Sequence, residues 1–216
     1  MRKRLLYAIC LFLLAGCENA PIKKSDPPSP VATVSTETPL EREIKELLEK
    51  GKSMNERKRQ VAVVETVFAR RTTPERSRQL AALCYTKTLG TPFMPFDLAE
   101  IALAETGGHR LSAGSVSHKG ALGVWQLMPR RARSHGYTPA DMEDDEKCAE
   151  AAVRELSTKL VMAQGNLDKA KKLYCGQGPQ ADAYLKRVKL VRGEMSTELT
   201  RLSGMMAMNE PSFRTR

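Results

Sequence analysis

From Thr106 to Ala140 this 216-residue chain has no Asp or Glu, although it carries 25 acidic residues in all. Carboxyl chemistry in that stretch must come from its borders. Glu105 stands just before it, and Asp141, Glu143, Asp144 and Asp145 just after. Other absences narrow the reading further. No CxxC pair occurs, which argues against a structural zinc site. Apolar runs of about 20 residues are missing, so no segment reads as a transmembrane helix. No β-type alternation and no internal repeat stands out, and that leaves an all-α protein. The three histidines, His109, His118 and His135, do not make a metal set. Glu105 and His109 would share a helix face only if the helix ran on, and Gly107-Gly108 stops it. No metal and no cofactor is expected.

The head of the chain reads as an address. Arg2, Lys3 and Arg4 precede the 12-residue apolar run Leu5–Gly16, which closes on Leu14-Ala15-Gly16-Cys17. That is the pattern of a lipoprotein signal over residues 1–17, with Cys17 as the lipid-bearing residue. Position 18 is Glu, and an outer-membrane anchor facing the periplasm is the first choice. Loss of the three basic residues leaves 32 Lys and Arg against 25 acids, so the net charge falls from +10 to +7. A basic exported protein meets anionic partners such as a carboxylate-bearing cell wall or a lipid surface, and export argues against nucleic acid. Protein partners cannot be named from the sequence.

Residues 18–39 hold five prolines among Ser, Thr and Lys and read as a flexible linker. Residues 40–73 read as a helical segment, with Ile44, Leu47 and Leu48 and then Val61, Val64, Val67 and Phe68 at helical spacing. A break is expected between Gly51 and Asn55. The main domain is placed at 74–192. Its helices are Pro74 to Lys87, Leu98 to Glu105 with Asp97 as N-cap, Glu146 to Gln164, Lys169 to Tyr174, and Ala181 to Val191. Residues 193–216 are expected as a disordered tail. Cys84 reads as a buried apolar residue. Cys148 and Cys175 are the expected disulfide, since an oxidising compartment permits one bridge among the three remaining cysteines.

The chemistry concentrates in Phe96–Pro129. Leu98, Ile101, Ala102 and Glu105 share one helix face at 3.6 residues per turn. An inward-facing Glu105 loses water, and desolvation raises a carboxyl pKa toward that of a general acid. Glu100 falls on another face and reads as solvated. A Gly/Ser-rich loop follows, then the block Gly120-Ala121-Leu122-Gly123-Val124-Trp125-Gln126-Leu127-Met128-Pro129.

This pattern resembles the catalytic domain of the soluble lytic transglycosylases, relatives of goose-type lysozyme that cleave the glycan strands of peptidoglycan. The resemblance covers about 115 residues. It pairs Glu105-Thr106 with the family's Glu-Ser, and Gly123-Val124-Trp125-Gln126 with its Gly-Leu-Met-Gln. The family's Ala-Tyr-Asn block maps onto Leu173-Tyr174-Cys175-Gly176, with the Asn replaced by Cys175 or deleted. The resemblance implies a lysozyme-like all-α fold and Glu105 as the single acid/base. It implies a hydrogen bond from Tyr174 to Glu105, and substrate contacts through Thr106, Ser117, Gln126 and Tyr174, while Tyr184 either packs or lines the sugar groove. Trp125 either stacks on a sugar or packs in the core. The implied reaction cuts the bond between N-acetylmuramic acid and N-acetylglucosamine and leaves 1,6-anhydro ends. A lysozyme-like hydrolase and a non-catalytic wall-binding lipoprotein are the alternatives.

Overall fold

In the computed structural model, backbone is described for residues 39–209 and side-chain surroundings for residues 53–205. The expected signal, Cys17 and nearly all of the linker lie outside the described residues.

Pro39–Ala69 is one uninterrupted helix, α1. The expected break between Gly51 and Asn55 does not occur. A glycine inside a helix costs about 1 kcal/mol. That is outweighed downstream, where Val63, Val64, Val67 and Phe68 are fully buried. Thr73 caps the next helix, α2 (Pro74–Thr88), by accepting from Arg76 N, and Pro74 supplies the fixed φ of its first turn. α3 (Pro95–Thr106) begins three residues earlier than expected. Asp97 is therefore not its N-cap; it lies in the first turn and accepts from Met94 N at 2.8 Å. The short α4 (Pro129–Ser134) follows the loop block. Asp144 caps α5 (Asp145–Met162) and Asn166 caps α6 (Leu167–Cys175) through their side-chain oxygens. α7 (Pro179–Asn209) completes the order. Residues 193–209, expected as a disordered tail, are its last turns, and buried Met195 and Glu198 tie them to the body.

No strand forms among the described residues. Two isolated bridges, Val116 to Leu122 and Leu122 to Leu127, give the loop after α3 a small hairpin-like core. Over the described residues the protein is all-α. α3 lies at its centre, touched by α1, α2, α5 and α7. One apolar cluster joins Val63 and Phe68 of α1, Leu80 of α2, Ile101 of α3, Leu156 of α5 and Met195 of α7. The segment expected over 40–73 thus packs into the same core as the domain expected over 74–192.

Central placement of α3 explains two departures from expectation. Glu100 is not solvated; it is 1% exposed. Lys171 Nζ bonds it from α6, and Arg192 of α7 donates to it at 2.8 and 3.0 Å. Lys171 also reaches Asp97 at 2.6 Å. A helix packed by four others over most of its length has little solvent face there, so its polar stripe is matched by buried Lys171 and half-buried Arg192. The second departure concerns sulfur. Cys84, Cys148 and Cys175 are all free thiols, and the expected Cys148–Cys175 bridge is not formed. Cys148 is buried on α5 beneath the Gly123 turn, whereas Cys175 is exposed at the end of α6.

Candidate active site

Glu105 occupies the last turn of α3, where the helix emerges from the core. It is partly buried at the floor of a pocket of about 360 Å³. The walls come from the hairpin loop (Ser117, His118, Lys119), from Gln126 and Met128, from Tyr174 and Cys175 of α6, and from Gln180, Ala183 and Arg187 of α7. Glu105 is the sole carboxyl group among the lining residues. Burial lifts its pKa from the ordinary 4.5 to about 7; the Arg187 charge and the Tyr184 hydroxyl pull the other way.

The four acids beyond the acid-free stretch do not join it. Asp141 accepts from Thr138 and Lys147, which hold it well below the usual carboxylate range. Asp144 caps α5, and Asp145 is bonded by Arg76 at 2.8 and 3.0 Å. Glu143 lines a separate depression with Arg76 and Gln79. Among the described residues no second carboxylate lines the Glu105 pocket.

The expected site residues divide into lining and supporting groups. Thr106 is 1% exposed, and its hydroxyl donates to Val124 O at 2.8 Å. It does not face the pocket; it pins the Gly120–Pro129 block to the end of α3. Trp125 is fully buried and donates from Nε1 to Leu98 O at 3.0 Å, so it packs and cannot stack on a sugar. Gly123 must be glycine. Its φ is +74°, and a Cβ there would stand 2.3 Å from Met142 O. Gln126 lines the pocket with φ +51°. Its amide nitrogen donates to Gly123 O at 2.7 Å and Ser115 O at 3.1 Å. With both hydrogens so used, Oε1 remains as an acceptor for a ligand. Ser117 accepts from Ala121 N at 2.9 Å and shapes the turn that carries Lys119.

Neither tyrosine makes the hydrogen bond to Glu105 expected of Tyr174. Tyr174 donates to Trp125 O at 2.9 Å, so it supports the loop block and does not hold Glu105. Tyr184 is fully buried beside the Glu105 carboxyl. Its hydroxyl is close enough to favour the carboxylate but makes no hydrogen bond of regular geometry. Burial and the Glu105 charge together keep its phenol protonated. Sequence reading missed Lys119, Gln180 and Arg187 altogether. Gln180, Ala183, Tyr184 and Arg187 follow a helical period on α7, which was the available signal.

No family model matches this chain, and neither the curated proteins nor the solved structures contain a match to it.

Proposed function

We propose that the protein is a peptidoglycan lytic transglycosylase. The carrying observation is one carboxyl group, Glu105, alone among the pocket's lining residues, with its pKa raised to about 7. Most glycosidases use two carboxylates on opposite sides of the scissile bond. A site with one must use the same group twice, and a pKa near ambient pH suits both proton transfers. Glu105 protonates the oxygen between N-acetylmuramic acid and N-acetylglucosamine. The bond breaks toward an oxocarbenium-like state, which the substrate's own acetamido group stabilises. The Glu105 carboxylate then takes the proton of the C6 hydroxyl, whose oxygen closes on C1. The product is a 1,6-anhydro ring, Glu105 is protonated again, and no water is consumed.

The sequence resemblance to lytic transglycosylases supports this reading through Glu105 and the Gly120–Pro129 block, and a lysozyme-like arrangement of the helices is part of the proposal. The signal pattern before Cys17 supports a lipid anchor, on an outer membrane with the enzyme facing the periplasm. The test is mass spectrometry of muropeptides released from purified sacculi by the form lacking residues 1–17 and by its Glu105→Gln variant. Anhydro-muramyl ends from the wild type alone are expected. Reducing ends would make the enzyme a lysozyme-like hydrolase. Bound but uncut sacculi would leave a wall-binding lipoprotein.

A further inference from the structure

The mouth of the Glu105 pocket carries more positive charge than the proton transfers need. Lys119 rises from the hairpin loop and Arg187 from α7, both exposed and both lining the pocket. Elsewhere the basic residues are largely matched: Arg70 and Arg71 by Glu194, Arg76 by Asp145, Lys172 by Asp182, Arg192 by Glu100. Lys119 and Arg187 form no ion pair with another described residue. Neither hangs loose, however. Lys119 Nζ donates to Gln180 Oε1 at 2.8 Å, bridging the loop to α7. The Arg187 guanidinium lies over the Tyr184 ring, 5.8 Å from its centroid. Holding two long side chains in place beforehand reduces the entropy lost when a ligand binds.

We propose that Lys119 and Arg187 form a subsite that binds a carboxylate carried on the sugar's substituent, and that this subsite selects charged muramyl residues over neutral ones. The inference rests on the proposed glycan substrate. N-acetylmuramic acid differs from N-acetylglucosamine by a lactyl ether that ends in a carboxylate or in a peptide with carboxylates. An ammonium and a guanidinium lining one pocket suit such a group, through charge-assisted hydrogen bonds. Glu105 forms no salt bridge with either of them, although the Arg187 charge is felt at its carboxyl.

Binding and proton chemistry are coupled by this geometry. Glu105 is faced by Tyr174 and Cys175 from α6, by Tyr184 and Arg187 from α7, and by His118 and Lys119 from the loop. Arg187 is the cation that pulls the Glu105 pKa down. A substrate carboxylate seated on Arg187 offsets that charge, so the loaded pocket keeps Glu105 protonated more firmly than the empty one.

The test uses the full chain in detergent with Glu105→Gln, which permits binding without cleavage. Calorimetry compares a muramyl tetrasaccharide whose dipeptides end in free carboxylates with the same compound as carboxamides. The carboxylate form is expected to bind about tenfold tighter, as one charge-assisted contact at an exposed site provides. Lys119→Met with Arg187→Met should bring the ratio close to one, and Lys119→Arg with Arg187→Lys should restore most of it. Matching melting midpoints establish that the variants fold. Equal binding of the two compounds by the parent, or an unchanged ratio in the Met variant, overturns the subsite. Sacculus cleavage by the Glu105 chain reads the enzyme hypothesis separately. Cleavage without carboxylate preference sinks the subsite alone. Carboxylate-selective binding without cleavage upholds the subsite and sinks the transglycosylase reading.

Discussion

In the proposed reaction Glu105 holds a proton against water and gives it up to a sugar oxygen, and its surroundings bear on both. Burial raises its pKa to about 7, and Arg187 and Tyr184 restrain the rise. Wall cleavage should therefore fall as pH climbs through about 7, because the acid form disappears. Removing either restraint should move that limb upward in the free enzyme: Arg187→Met and Tyr184→Phe are each expected to extend activity to higher pH, read as the alkaline midpoint of kcat/KM against pH. A downward move in both would show that the carboxyl is governed by something other than these neighbours. The same balance carries a signature in stability. The folded pKa is raised above the unfolded value, so the stabilisation is complete below about 4.5 and is lost as pH rises through about 7. Glu105→Gln should match the wild type at pH 4 and exceed it at pH 8 by roughly 2–3 kcal/mol. Denaturant melts at the two pH values measure the difference.

At the scale of elements, α3 is a central helix whose end delivers Glu105 and whose polar stripe is neutralised by α6 and α7. Lys171 is fully buried between Asp97 and Glu100. Lys171→Met should leave Asp97 without its cation and Glu100 with Arg192 alone, at a cost of about 3 kcal/mol in urea unfolding. The end of α3 is held to the loop by Thr106. Thr106→Val loses the bond to Val124 O and should cost about 1 kcal/mol, with a greater loss of activity than of stability, while Thr106→Ser restores both. Such roles explain what the sequence disclosed and what it hid. The inward face of Leu98, Ile101 and Glu105 follows from period alone, and so do most helices. Glu100 could not be read correctly, because its burial depends on Lys171 and Arg192, more than 70 residues away. Tyr174 and Tyr184 were both visible as candidates. Which of them meets Glu105 depends on how α6 and α7 pack, and no local pattern encodes that. Thr106 looked like a ligand group because it sits in the motif, and Trp125 was open between stacking and packing; the polar atoms of both are spent on the backbone of neighbouring segments.

The whole molecule is held by its two 31-residue helices, α1 and α7, which close around α3 from either end of the chain. Sequence composition places a boundary near residue 73, since a charged helix precedes the motif-bearing region. The packing does not respect that boundary. Val63, Val64, Val67 and Phe68 have no exposure and belong to the core that holds α2 and α3. Arg57 reaches from α1 to the carbonyls of Thr88 and Phe93, at 3.3 and 2.8 Å, fixing the turn that leads into α3. At the other end, Arg70 and Arg71 bind Glu194, and Arg70 also bonds Glu198, past the end expected for the domain. A fragment spanning 74–192 loses all of these at once. Four fully buried apolar side chains at about 1.5–3 kcal/mol each are comparable in sum with the roughly 5–15 kcal/mol by which a domain is ordinarily stable. The 74–192 fragment is expected to lack a cooperative thermal transition and the near-ultraviolet dichroism of an ordered Trp125. A fragment spanning 53–205 is expected to show both, and to cleave or bind sacculi as the longer chain does. A folded, active 74–192 fragment would mean that α1 only decorates the domain. Failure of the shorter fragment alone would make the long helices part of the apparatus that sets Glu105 at the pocket floor.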